Sequence, residues 1–197
     1  ASGHKFGLAP LGIGWVLFRE PTDLPDELIF HVSYLGGDMP TFQINFSRPA
    51  GQVIAQYFDF IRFGKAGYTA IHGSSHEIAE YCAQEIGTVD GFEIIHNGSP
   101  DKGIPAVVWT QKENTEHGFT LYDLADRLRM RGWQVPAYPF TGDLAHKAFQ
   151  RILVKRGFTR EMADLLLIDI KQAIDFLTSH PRNASPPSVQ ASSYNHL

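Results

Sequence analysis

The sequence predicts an α/β fold, and three observations carry that prediction. Apolar residues recur at helical spacing through Val53, Ile54, Tyr57, Phe58 and Ile61, and again through Ala163, Leu166, Leu167, Ile170 and Ile174. Short runs at Phe92–His96, Ala106–Gln111, Val135–Tyr138 and Phe149–Lys155 read as strands between them. Glycines and polar loops punctuate the joins. Strands and helices alternating in this way build layered α/β domains.

Taken in order, residues 1–48 mix glycine, proline and β-favouring residues. Strands are expected near 12–18 and 41–46, with a hairpin-like excursion around His31-Val32-Ser33-Tyr34-Leu35-Gly36-Gly37. Pro49 stands where a first helical residue is tolerated, and Ser47 or Arg48 is placed to cap the helix that begins there. That helix is expected from Ala50 to about Ile86, with Gly64, Gly67 and Gly73 marking a kink or break. After the strands at Phe92–His96 and Ala106–Gln111 comes a polar loop through Asn114 and His117. Thr120-Leu121-Tyr122-Asp123 has the form of a capping box, and the helix it opens should end at Gly132. Two more strands, Val135–Tyr138 and Phe149–Lys155, precede a last amphipathic helix from Thr159. From Pro181 to Leu197 the chain is rich in Ser, Pro and Asn with almost no charge, which reads as a mobile tail.

Composition narrows the function classes. With 43% apolar residues in 197, a real core is available, and a net charge of -4 gives no electrostatic reason to expect nucleic acid or an anionic membrane. The single cysteine, Cys82, makes no internal disulfide, and there is no signal peptide or long apolar run, so a cytoplasmic setting is expected. The chain begins Ala1-Ser2-Gly3-His4-Lys5 without an initiator methionine, and reads as a piece of a longer polypeptide or a processed chain. The nine histidines show no firm metal-ligand spacing. His72 and His76 are one turn apart, but the glycine and serines between them argue against a firm helix there, and no metal is expected. Trp109 and Trp133 read as core or interface aromatics.

The strongest local signal is Ser2-Gly3-His4-Lys5. A lysine that forms a Schiff base has to reach the neutral amine, and burial lowers the pKa of lysine readily. Glycines at 3 and 7 would let a bulky cofactor approach the backbone closely. Taken alone, the motif also reads as a surface-loop lysine beside an incidental histidine.

Four segments in register decide between the two. Ser2-Gly3-His4-Lys5-Phe6-Gly7-Leu8, Tyr34-Leu35-Gly36-Gly37, Asn45-Phe46-Ser47-Arg48-Pro49 and Gly132-Trp133-Gln134-Val135-Pro136-Ala137-Tyr138 occur in an order and at spacings that resemble glutamate decarboxylase. The resemblance runs from residue 1 to about residue 180 and is to the bacterial and related members of this pyridoxal-phosphate family. It implies fold type I, with residues 1–48 as the end of the large cofactor-binding domain with its flap, 49–87 as a connecting helix, 88–180 as a small C-terminal α/β domain and 181–197 as a flexible tail.

The resemblance also implies roles. Lys5 matches the lysine that carries pyridoxal phosphate, and His4 its cofactor-contacting neighbour. Ser47 matches a phosphate contact supplied to the neighbouring subunit; a plain N-cap is the other reading, and the two are compatible. Arg151 matches the arginine that holds the substrate α-carboxylate, a role suited to its planar bidentate donor, with Arg156 nearby as a decoy. An unpaired buried arginine within an apolar strand is costly, so it needs a partner; if the strand is an edge, Arg151 simply points to water. Tyr34, on the flap, either lines the pocket and assists proton transfer or packs. His196 resembles the tail histidine with which bacterial members close the site near neutral pH; a tail end without a role is the alternative.

The activity implied is decarboxylation of L-glutamate to 4-aminobutyrate in a homodimer or higher homo-oligomer, with these 197 residues inactive alone. The tail lacks a tryptophan and clustered basic residues, so no calmodulin binding is expected. The competing readings are a related amino-acid decarboxylase and a non-catalytic relative used for assembly.

Overall fold

Glycine and proline keep the first part of the chain from forming a continuous ladder. The computed structural model describes residues 1–33, 36–42, 47–113, 115 and 118–181. Residues Ala1–Ala70 form one unit and Ile71–Leu197 a second. In the first unit the strand expected at 12–18 is absent: the segment makes one isolated bridge, Ser2 to Gly14. Gly12, at a φ of 110°, turns the backbone away from extended geometry, and Trp15, Val16, Leu17 and Phe18 are left exposed. The hairpin excursion is present as β1 (Phe30–Val32) and β2 (Met39–Thr41), antiparallel with Phe30 opposite Thr41. Of the strand expected at 41–46, Thr41 closes β2 and residues 43–46 lie outside the described residues.

Helix α1 runs Gly51–Gly87 with a break at Gly64, whose φ of 55° and ψ of -169° are not helical. A Cβ at Gly64 would meet nothing, so glycine is needed there for its backbone conformation and not for space. Gly67 and Gly73 stay helical, contrary to expectation; an isolated glycine costs a helix only about 1 kcal/mol relative to alanine. The helix begins later than Pro49 suggests, because the carbonyl of Ala50 accepts its first bond from Ile54. Ala50, not Ser47 or Arg48, is therefore the N-cap. His72 and His76 lie on this helix after all; Ser75 returns its hydroxyl to the Ile71 carbonyl at 3.4 Å, so the polar run does not interrupt it.

The second unit is built on one antiparallel sheet of β3 (Phe92–Asn97), β4 (Ala106–Gln111), β5 (Ala137–Pro139) and β6 (Ala148–Leu153), in the order β3-β4-β6-β5. Strand alternation sends Val107, Trp109, Gln150 and Ile152 to one face, paired Val107 to Ile152 and Trp109 to Gln150. That face packs with Cys82, Ala83 and Ile86 of α1 and with α2 (Leu121–Met130) and α3 (Arg160–Ser179). β5 starts at Ala137, later than the expected Val135, and its Pro139 is tolerated because the strand is an edge. Val135 is instead a buried loop residue whose carbonyl accepts from Gln150 Nε2 at 2.9 Å.

The helix ends obey local chemistry. Thr120 and Asp123 form the expected capping box, with Thr120 N–H donating to Asp123 Oδ2 at 2.9 Å and Asp123 N–H to Thr120 Oγ1 at 3.2 Å. At the other end of α2, Gly132 (φ 91°) donates to Arg129 O at 2.9 Å and Trp133 N–H to Leu128 O at 3.0 Å, a Schellman closure. Arg131 and Trp133 then both donate to Asp169 of α3, at 3.0 and 2.7 Å. Thr159 caps α3 through Met162 N–H, as its position in the sequence suggests. No helix is long and apolar enough to cross a membrane among the described residues.

Candidate functional site

Lys5 sits on a tight loop whose backbone bonds to itself. Lys5 N–H donates to Ser2 O at 3.3 Å, Leu8 N–H to Lys5 O at 3.2 Å, and Ala9 N–H to Gly3 O at 3.1 Å. Gly3 N–H reaches across to Ile13 O at 3.1 Å, and His4 Nδ1 lies 3.3 Å from the same oxygen, to which it donates as the Nδ1–H tautomer. Leu8 has a φ of 64°, the one non-glycine residue at positive φ among the described residues. Such a conformation is strained and persists only when its surroundings hold it.

The residues that hold it come from α1. Gln56, 1% exposed, donates from Nε2 to Gly7 O at 2.8 Å and to Gly3 O at 3.5 Å, and accepts at Oε1 from Trp15 Nε1 at 2.7 Å. The hydroxyl of Tyr68 donates to the same Gly7 oxygen at 2.9 Å. Burial, with Asp59 adding to it, raises the pKa of Tyr68, which keeps the phenol a donor. Gly3 and Gly7 are glycine for this reason. A Cβ on Gly3 would collide with Gln56 Oε1 and Ile13, and one on Gly7 with Gln56 Nε2. The expectation that these glycines make room for a cofactor is therefore corrected: their space is filled by the Gln56 carboxamide.

Lys5, Phe6, Trp15, Gln56 and Phe60 help to line an open, largely apolar cleft of about 320 Å³. Lys5 itself is exposed, so the desolvation expected of its amine is not supplied by the described residues of this chain. Ser47 is also exposed and lies upstream of the residue that caps α1. Tyr34 and His196 lie outside the described residues.

Arg151 belongs to the second unit. Its strand, β6, is internal to the sheet, yet Arg151 is exposed because alternation puts it on the face opposite the helices, beside Val108 in register. There it makes no ion pair among the described residues; its guanidinium lies 5.7 Å from the Tyr138 ring centroid. Arg151 and Tyr138 share an open cleft of about 360 Å³ with Phe140, Thr141 and Phe149. The arginine reaches water without an edge strand, which removes the need for a buried partner.

The remaining titratable candidates are structural. His76 Nδ1 bonds the Gly98 carbonyl at 2.5 Å, and no group of three or more metal-ligating side chains occurs among the described residues. Cys82 is buried in the core and burial pushes its thiol up to about 11, far from a nucleophile's range. Sequence reasoning missed Gln56, Trp15 and Tyr68. Their only trace in the sequence is the pair of glycines flanking Lys5, and nothing local says which side chain fills the space those glycines leave.

Residues 1–112 match the pyridoxal-dependent decarboxylase conserved domain. The chain is 48% identical over 196 residues to the glutamate decarboxylase of Aliivibrio fischeri, covering 100% of this chain and 42% of that protein. It is 49% identical over 176 residues to the glutamate decarboxylase of Lactococcus lactis subsp. cremoris, covering 89% and 37%. Among solved structures, Lactobacillus brevis glutamate decarboxylase superposes with a TM-score of 0.81 at 42% identity, over 94% of this chain and 40% of that one. The chain thus spans about two fifths of the length of these relatives.

Proposed function

The chain belongs to the pyridoxal-dependent decarboxylase family, and on that premise we propose that the whole protein decarboxylates L-glutamate to 4-aminobutyrate, with Lys5 holding pyridoxal phosphate as a Schiff base. The observation that carries this is Lys5 itself, an exposed primary amine on an apolar cleft, in a chain similar along its whole length to glutamate decarboxylases. The cleft fits the group in two respects: the amine is accessible for attachment, and Phe6, Trp15 and Phe60 offer apolar surface to an aromatic ring. Ser2 brings a hydroxyl donor to the lining of this cleft, whereas Gln56 is committed to the loop. Ser47 is read as a donor to the phosphate, acting in a neighbouring subunit's site.

When bound, the cofactor supplies the sink for the electron pair left by departing carbon dioxide. The residues of this chain do the rest. Arg151 binds and orients the α-carboxylate of glutamate, the group whose bond to Cα breaks, through its two-pronged guanidinium. A proton added at Cα completes 4-aminobutyrate, and Tyr34 on the flap is placed in the sequence to assist that transfer. His4 contacts the cofactor beside Lys5. His196 closes the site near neutral pH and releases it on protonation.

A homodimer or higher homo-oligomer belongs to the same reading. It is supported by Val53, Ile54, Tyr57, Phe58 and Ile61, an exposed apolar stripe at helical spacing on α1. A cytoplasmic setting, without nucleic acid, membrane or calmodulin as partner, rests on the charge and the single cysteine. The division at 48, 87 and 180 into large-domain end, connecting helix, small domain and tail is likewise part of the proposal.

The test is borohydride reduction of the whole protein supplied with pyridoxal phosphate, followed by peptide mapping and a substrate panel. A pyridoxyl adduct on Lys5 and turnover of glutamate in preference to other amino acids are expected. Unmodified Lys5 in folded protein would put the non-catalytic reading in its place.

A further inference from the structure

The loop that carries Lys5 is under local strain, and one buried side chain spans it. Leu8, three positions after the lysine, is at a φ of 64°, and the carbonyl just before it, Gly7 O, receives two side-chain donors, Gln56 Nε2 and Tyr68 Oη. Gln56 also touches the other end of the loop at Gly3 O and, through its oxygen, Trp15 Nε1 on the returning segment. A polar side chain 1% exposed is costly unless its groups are bonded, and here both ends of the carboxamide are bonded to the Lys5 loop and its return. Glutamine is suited to this place because it is neutral and carries both a donor and an acceptor. Glutamate would set a carboxylate against two carbonyl oxygens, and methionine would leave the indole N–H without its acceptor and each oxygen with one donor fewer, Gly7 O keeping Tyr68 and Gly3 O keeping the Ala9 N–H.

We infer that Gln56 is a positioning residue for Lys5: its buried carboxamide, with Tyr68 as second donor to Gly7 O, fixes the strained loop from which the lysine amine projects into its cleft. The inference rests on the proposed role of Lys5 but assigns a duty to a residue that the reaction itself does not use. Both ends of the Gln56 carboxamide are taken up by Gly7 O, Gly3 O and the Trp15 indole. Gln56 acts through the backbone of residues 3–8, so its loss should alter where the amine stands and not how tightly substrate is held.

The experiment uses the whole protein with Gln56→Met and Tyr68→Phe, with wild type beside them. Without cofactor, the amides of Gly3, Leu8 and Ala9 are expected to exchange at least about tenfold faster in Gln56→Met, while the β4 amides keep their wild-type rates. With cofactor, kcat for glutamate should fall by about 10- to 100-fold with KM changed less than about threefold, the signature of a displaced reacting group. The pH midpoint of the bound cofactor's visible absorbance should shift as well, which a loss of general stability would not cause. Tyr68→Phe should show the same changes at smaller size, and it carries the test if Gln56→Met does not accumulate folded.

Two negative results are separable. An adduct on Lys5 in wild type, with loop exchange, kcat and absorbance midpoint unchanged in the variants, overturns the positioning role and leaves the proposed function standing. No adduct on Lys5 in wild type overturns the proposed function, and the positioning role with it.

Discussion

The two units treat their apolar residues in opposite ways. From Ile71 onward the core is continuous: Cys82 and Ile86 of α1, Val107 and Trp109 of β4, Leu124 and Leu128 of α2, and Leu166 and Ile170 of α3 are buried together. In Ala1–Ala70 only Ala9 and Ile13 are buried apolar side chains among the described residues, and Val53, Ile54, Tyr57, Phe58 and Ile61 are all more than half exposed. Hydrophobic burial is the dominant favourable term in folding, so the second unit is stabilised by its own sequence. The first is held by polar clamps such as Gln56 and leaves its apolar stripe exposed in a chain that spans about two fifths of its relatives' length.

The widest break between the units should appear when they are separated. Residues 71–181, expressed alone, are expected to unfold in one cooperative transition on heating, with a dispersed amide spectrum. Residues 1–70 alone should show neither. A cooperative transition in the 1–70 piece would mean that its few buried groups suffice, and the contrast would be lost.

Single substitutions sharpen the same contrast within the intact chain. Trp109 is fully buried in the core that residues of α1, α2 and α3 share, and its indole N–H has no partner among the described residues, so Trp109→Ala removes packing alone. A loss of about 3–5 kcal/mol in denaturant unfolding is expected. Ile54→Ser, at a position 66% exposed, should stay within about 0.5 kcal/mol for the chain itself. In the whole protein the same Ile54→Ser should shift sedimentation toward smaller species. Equal stability losses for the two variants would show that the α1 stripe is packed in solution by the chain itself.

Legibility in the sequence tracks the range of the interactions involved. The capping box at Thr120, the cap at Thr159, strand β4 and the buried face of α3 are all readable, because each is set by residues a few positions apart. The segment 12–18 reads wrongly as a strand because β-favouring residues say nothing about whether a partner strand is present. Pro49 points two residues too early, since the helix starts at Gly51 and the choice of Ala50 as N-cap depends on which carbonyl takes the first bond. The proposed roles of Lys5 and Arg151 come from the resemblance to glutamate decarboxylase. The brace on Lys5 is not legible, because Gln56 lies 49 to 53 positions from the carbonyls it grips. The exposed face of Arg151 needs the sheet order, which no single strand contains.

The smallest effect concerns the start of α2, where the second unit's self-sufficiency is tested at a single turn. Thr120 Oγ1 accepts from Asp123 N–H at 3.2 Å and donates to Asp123 Oδ2 at 2.8 Å, and Asp123 is 8% exposed. Thr120→Ala removes an acceptor from an N–H that the helix cannot satisfy and a donor from a buried carboxylate. A loss of about 1 kcal/mol is expected, with an unchanged denaturant slope, and Thr120→Ser should restore most of it. If Thr120→Ala costs nothing, the cap results from the packing of Leu121 and Leu124 and does not set it. The start of α2 would then be held by the sheet-to-helix core, and the second unit's polar clamps would be those at Gln150 and Asp169.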